Sequence, residues 1–246
     1  MLTENTVTKL REMKMSVMAQ KLKDQLSDHA LSDLSFEDRV SLIVDAEWAT
    51  RKSNRMTKLI RNADFALAGA SIEDIDFRPS RKLDKAQILR LGTCSYILES
   101  HNILILGATG AGKTYLACAF GMAACRNFYS AKYIRLPDLL TELALARVEN
   151  NFREVMKQYK RVKLLILDEW LLYSLKETEA RDLLEIVEAR HRSASTIFCS
   201  QFDVKGWHLK IGESTLADAV CDRVAHNSYT IMIEGDSMRK VTGIQQ

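Results

Sequence analysis

Residues 103–115, Ile-Leu-Ile-Leu-Gly-Ala-Thr-Gly-Ala-Gly-Lys-Thr-Tyr, decide the fold. Ile103 to Leu106 form a short apolar, mostly branched run, which reads as a buried strand. A glycine-rich turn ending in Lys113-Thr114 follows at once, and residues 115–124 open a helix. Strand, G-x-x-x-x-G-K-[ST] and helix together are the context that a phosphate loop requires. The glycines let consecutive backbone N–H groups point into one anion-sized hollow, and the helix start adds its positive dipole end. Gly107, Ala108, Thr109, Gly110, Ala111, Gly112, Lys113, Thr114 and Tyr115 are therefore the candidate nucleotide contacts. Lys113 can set its ammonium between the β- and γ-phosphates, and Thr114 can offer its hydroxyl to Mg²⁺. ATP and Mg²⁺ are the expected cofactors.

Working outward, Val162-Lys163-Leu164-Leu165-Ile166-Leu167 reads as a second buried strand ending in Asp168-Glu169. In a parallel sheet, an acid at the carboxyl end of such a strand sits beside the phosphate loop. Asp168 is the candidate metal carboxylate, and Glu169 the candidate base that orients the attacking water. Residues 131–136 read as one more strand and residues 137–160 as a helical segment. An extra strand between the two motifs, with Glu directly after the metal Asp, is the arrangement of the additional-strand ATPases. It argues for hydrolysis by water over transfer to an acceptor. Residues 177–191 read as a helix and 195–199 as a strand, with Ser200 and Gln201 at its carboxyl end. Either can hydrogen-bond the γ-phosphate or the lytic water. Ser214 opens another helix, which carries Arg223, and residues 229–233 form the last strand. Arg223 has two readings, a surface pair with Asp222 or Asp218, or a cation reaching a neighbouring subunit's ATP.

The chain has 246 residues, 47% apolar and 27% charged, which is a globular composition. It has no apolar run of membrane-spanning length and no signal-like start, so a cytoplasmic protein without a membrane partner is expected. Five cysteines without C-x-x-C spacing fit reduced thiols and give no zinc pattern. Val7, Leu10, Met13, Met18, Leu22 and Leu26 recur at helical spacing. Ser35, with Asp38 three residues on, is an N-cap for a long helix over residues 36–62. Gly69 ends the helical pattern, and the domain boundary is placed between about residues 70 and 82. Net charge is only +3, yet residues 48–63 hold Arg51, Lys52, Arg55, Lys58 and Arg61 and no acid. Arg51, Arg55 and Lys58 share a helix face. This stripe is either a solvated face or a contact for a phosphate backbone. Trp48 and the Met13, Met15 and Met18 group read as core. A second basic cluster holds Arg78, Arg81, Lys82 and Lys85.

Several segments together resemble one family. They are GATGAGKTYLA (107–117), LLILDEW (164–170), TIFCSQF (196–202), WHLKIGESTLADAVCDRVAH (207–226) and IEGDSMRK (233–240), with NADF (62–65) ending the helical part. The chain resembles the IstB-type helper ATPases of bacterial insertion sequences, relatives of the DnaC-type helicase loaders within the AAA+ class. The resemblance implies an α/β fold, an AAA+ P-loop parallel sheet flanked by helices. It implies a helical DNA-binding and assembly domain over residues 1–70 and an ATPase domain over 71–246. It further implies a homo-oligomer assembled on double-stranded DNA beside the transposase of the same element. By motif position, Lys113, Thr114, Asp168 and Glu169 take the Walker roles. Ser200 or Gln201 takes the first sensor position, and Arg223 matches the arginine finger. Only thirteen residues follow the last expected strand, so no carboxyl-terminal lid is expected, and Arg239 is a substitute second sensor. A DnaC-like helicase loader is the nearest alternative. A nucleotide kinase and an ATP-gated scaffold without turnover fit the motifs less well.

Overall fold

A computed structural model describes residues 2–28, 31, 33–212 and 214–235. The expectations for Arg239, for the GDSMRK segment beyond Gly235 and for the missing lid lie outside the described residues. Contacts divide the chain into two compact units, Met1–Lys58 and Leu59–Gln246. The division falls within one helix, α3 (Phe36–Ala63), which follows α1 (Leu2–Glu12) and α2 (Ser16–Ser27).

In the first unit, the continuous helical spacing of residues 7–26 is broken at Lys14, whose φ is 59°. Glu47 of α3 closes that break. Its carboxylate accepts from the N–H groups of Val17 and Met18, both at 3.0 Å, and so caps the start of α2. Negative charge at a helix N-terminus is favourable. Arg51 donates from Nε to Glu47 at 2.6 Å and from Nη2 to the Lys14 carbonyl at 2.7 Å. The Arg51 hydrogen bond, followed by the backbone donors, holds the Glu47 carboxyl below its ordinary pKa. Ser35 caps α3 as expected, its Oγ accepting from the Asp38 N–H at 3.1 Å. Two core expectations fail here. Trp48 is 60% exposed with the Lys52 ammonium 4.6 Å over its ring, and Met13 is 55% exposed. Helical spacing gives a side chain's face but not whether another element covers it.

In the second unit, α4 (Lys85–Gly92) and α5 (Ser95–Leu98) lead into β1 (Asn102–Gly107) and α6 (Lys113–Arg126). Then come β2 (Ala131–Arg135), α7 (Leu136–Val148), α8 (Phe152–Arg161), β3 (Leu164–Asp168) and α9 (Glu177–Arg190). The chain continues through β4 (Ser195–Ser200), α10 (Val204–Ile211), α11 (Ser214–Ala225) and β5 (Ser228–Ile233). The five strands form one parallel sheet in the order β2-β3-β4-β1-β5. Sheets of this kind are covered on both faces, which is why β1 and β3 read as apolar runs; β4 is equally buried, but only Ile197 to Cys199 in it are apolar. Alternation sorts them. Ile103, Ile105, Ile166 and Ile197 face α6 and the segment before β1, whereas Leu104, Leu106, Leu165, Leu167 and Phe198 face the helices that follow β2, β3 and β4. Each such side chain contributes about 1.5–3 kcal/mol by burial, whereas an exposed ion pair contributes about 0–1 kcal/mol. The two-sided core therefore carries the fold.

The expected helical segment over 137–160 consists of two helices, because Asn150 turns to a φ of 59° between α7 and α8. The helices α4 and α10 were not anticipated. At the amino end of the sheet the buried Arg190 guanidinium donates to the Tyr159 and Val162 carbonyls at 2.8 and 2.7 Å and to Thr196 Oγ1 at 2.9 Å. A buried cation is tolerated there because its donors are taken up.

Candidate functional site

In this sheet β1 and β3 are both hydrogen-bonded to β4. The segments leaving all three strands at their carboxyl ends therefore converge on one crevice, the place where open α/β sheets bind ligands. A cleft of about 450 Å³ lies there, lined among others by Thr109, Gly110, Lys113, Thr114, Asp168 and Gln201. Glu169, Trp170, Leu172 and Cys199 complete its wall.

The phosphate loop is set by backbone needs. A Cβ on Gly107 would come within 2.4 Å of the Ile233 carbonyl oxygen on β5, so only glycine fits. Gly112, which caps α6, has a φ of 99°, in the region that favours glycine. Ala111 is buried, and its carbonyl accepts from Arg81 Nη2 at 2.7 Å. Lys113 Nζ donates to the carbonyls of Gly107 at 2.7 Å and Ala108 at 2.9 Å, bending back over the loop it belongs to. Tyr115 does not line the cleft; its hydroxyl lies 3.3 Å from the Ser71 N–H, a bond that ties α6 to the segment before β1.

Asp168 is 4% exposed, and every oxygen of its carboxylate is engaged. Oδ2 accepts from Thr114 Oγ1 at 2.6 Å and from the Tyr133 hydroxyl at 2.9 Å, while Oδ1 accepts from the Glu169 N–H at 2.8 Å. Burial, then the neighbouring Asp168 charge, raises the Tyr133 phenol well above its ordinary pKa, so it remains a donor. Glu169 has a φ of 53°, an uncommon conformation for a residue with a side chain. The next residue anchors it. Trp170 is fully buried, donates its backbone N–H to the Cys199 carbonyl at 2.8 Å, and packs edge-on against Phe198 and Trp207. The Glu169 carboxylate then lies 3.7 Å from Arg135 Nη1, and Arg135 also forms a two-pronged pair with Asp138.

The structure treats the two residues after β4 differently. Ser200 is buried; its hydroxyl donates to the Trp170 carbonyl at 3.0 Å and accepts from Trp207 Nε1 at 2.9 Å. Gln201 is exposed and lines the cleft. Arg223 pairs with Glu188 of α9 at 2.9 Å and with the Ala219 carbonyl at 3.0 Å. Its acidic partner is thus neither Asp218 nor Asp222, which face His208 and His226. Arg51, Lys52, Arg55, Lys58 and Arg61 are all exposed along α3. Arg51 is not unopposed, since Glu47 stands one turn before it. As site residues, Tyr133, Arg135 and Trp170 escaped the sequence reading, and Arg81 was read only as part of a basic cluster. The only signal for Tyr133 was its place on the strand between the two motifs.

A profile of the IstB-like ATP binding protein family matches residues 8–245. The insertion sequence ATP-binding protein y4pL of Sinorhizobium fredii is 38% identical over 240 residues, covering 98% of each chain. Among solved structures, AMPPCP-bound DnaA from Aquifex aeolicus superposes with a TM-score of 0.60 at 23% identity, over 72% of this chain and 54% of that one. DnaI gives a TM-score of 0.57 at 23% identity, over 74% of this chain and 93% of that one. The sheet and its flanking helices are thus an AAA+ fold, and the chain belongs to the IstB-like ATP binding protein family.

Proposed function

We propose that this protein binds ATP with Mg²⁺ in the cleft at the carboxyl ends of β1, β3 and β4 and hydrolyses it. On this reading it assembles on double-stranded DNA and assists the transposase of its element. The observation that carries the nucleotide reading is the 2.6 Å bond between Thr114 and Asp168, 54 residues apart, at the mouth of the phosphate loop. The name of the Sinorhizobium relative supports both the nucleotide and the insertion sequence.

The residues present fit Mg²⁺. It takes one or two protein oxygens and completes its shell with phosphates and water, and a hydroxyl beside a buried carboxylate is such a pair. Thr114 and Asp168 would hold it; when bound, it neutralises phosphate charge. Lys113 would leave the Gly107 and Ala108 carbonyls for the phosphates. Glu169 acts as base toward the attacking water. Gln201, which lines the cleft, serves as the first sensor, while Ser200 holds the turn from behind. Arg223 reaches the ATP of a neighbouring copy after giving up Glu188. Residues 1–70 act as the DNA-binding and assembly part and residues 71–246 as the ATPase. The basic residues of α3 contact the duplex through its phosphates.

Replacing Glu169 by Gln should leave ATP binding intact and slow hydrolysis by about 10²-fold or more, because an amide cannot take the water's proton. Equilibrium ATP binding and steady-state phosphate release on the purified variant check this; wild-type turnover would refute the assignment. Charge reversal of Arg55 and Lys58 to Glu should weaken duplex binding irrespective of sequence and flatten its salt dependence. A salt slope equal to that of the wild type would return the stripe to a solvated face.

The Arg223 role is tested by mixing two inactive variants. A finger contributes roughly 10³–10⁵ in rate in well-studied NTPases. Arg223→Ala and Lys113→Ala should each be nearly inactive on DNA. Their mixture should recover part of the activity, because an Arg223→Ala subunit still binds ATP and can receive the intact arginine of its neighbour. Wild-type hydrolysis by Arg223→Ala alone would leave Arg223 as the surface partner of Glu188.

A further inference from the structure

The Asp168 carboxylate is held by a residue for which nucleotide chemistry has so far supplied no role. Tyr133 is central in β2, paired in register with Ile166 of β3, and its side chain is on the α6 face of the sheet. From there it reaches two residues along the neighbouring strand, and its hydroxyl donates to Asp168 Oδ2 at 2.9 Å. Packing alone does not require a hydroxyl here. The ring is 8% exposed among Cys118, Cys199 and other apolar neighbours, where phenylalanine would fill the same space. A buried hydroxyl is retained without penalty only where it has a partner, and Asp168 is its partner.

The three oxygen and nitrogen donors to Asp168 differ in what a bound nucleotide demands of them. Thr114 must turn a lone pair of its hydroxyl toward the cation, and it belongs to the loop that receives the phosphates. The Glu169 N–H belongs to the turn that carries the proposed base. Of these three, only Tyr133 comes from the interior of a strand, and it does not line the cleft. Its bond can persist unchanged while the other two adjust. Asp168 itself lines the cleft, so a carboxylate held from behind by Tyr133 is held at the cleft wall.

We infer that Tyr133 is a positioning residue, whose hydroxyl fixes the Asp168 carboxylate in the orientation that receives Mg²⁺. This rests on the assignment of Asp168 as the metal carboxylate. Outer-shell partners of this kind typically govern 10–100-fold in metal affinity or activity. Tyr133 does not line the cleft, so ATP affinity in the absence of metal should not depend on its hydroxyl.

The test is a Mg²⁺ titration of the full chain at fixed ATP, for the wild type, Tyr133→Phe and Asp168→Asn. It is read both by the ATP-dependent rise in melting temperature and by hydrolysis. For Tyr133→Phe, the Mg²⁺ midpoint should move upward by about 10–100-fold in both readouts. ATP binding in EDTA should match the wild type, and hydrolysis should recover toward wild type at high Mg²⁺. A wild-type midpoint in Tyr133→Phe, with a displaced one in Asp168→Asn, overturns the inference and leaves the site assignment standing. A lowered nucleotide-free melting temperature with an unmoved midpoint also overturns it, making the hydroxyl a packing element. A wild-type midpoint in Asp168→Asn overturns the metal assignment itself.

Discussion

One carboxylate gathers the separate parts of the site. Asp168 is buried at the end of β3, where a lone charge would cost several kcal/mol or more. It is kept there by donors from β2, from the start of α6 and from the backbone just beyond it. Remove the carboxylate and Thr114, Tyr133 and the Glu169 turn lose their common reference. Its position is in turn fixed by the sheet, because β4 lies between β3 and β1 and brings residues 107–114 and 168–169 to one crevice. The order of the strands is therefore the constraint, and the hydrogen bonds to Asp168 are its local expression.

The same crevice shows how tightly backbone and side chain are interlocked. Gly107 passes against β5 with no room for a Cβ. Glu169 takes a left-handed conformation costing on the order of 1–3 kcal/mol, and the buried Trp170 makes that turn obligatory. Ser200 closes the turn from the other side through the Trp170 carbonyl. Lys113, meanwhile, satisfies its ammonium on two carbonyls of its own loop, so the loop keeps its shape around its own cation. The outcome is a site with a buried carboxylate at its floor and two partly exposed charged groups, Lys113 and Glu169, lining it.

Much of this was legible in the sequence, for a physical reason. Strands buried on both faces read as apolar runs, and the phosphate loop demands glycine at fixed offsets, so β1, β3 and the loop announce themselves, and β4 shows through its Ile197-Phe198-Cys199 centre. What lay beyond reading was whatever depends on which element covers which. Trp48 reads as core and is exposed. Arg51 seemed part of an acid-free stripe, yet Glu47 lies one residue outside that window and pairs with it. Ser200 and Gln201 are adjacent polar residues that only three dimensions separate into a buried prop and a cleft wall. Tyr133 required knowing that β2 neighbours β3 and that its side chain points along the sheet toward Asp168.

The central claim is that residues 107–114 and Asp168 form the nucleotide site. The most direct measurement is a crystal structure of the protein with a non-hydrolysable ATP analogue and Mg²⁺. The account expects the phosphates against the backbone N–H groups of the loop, with Lys113 drawn off the Gly107 and Ala108 carbonyls onto them and the metal at Thr114. A nucleotide bound elsewhere, or one bound while Lys113 still rests on those two carbonyls, would contradict it.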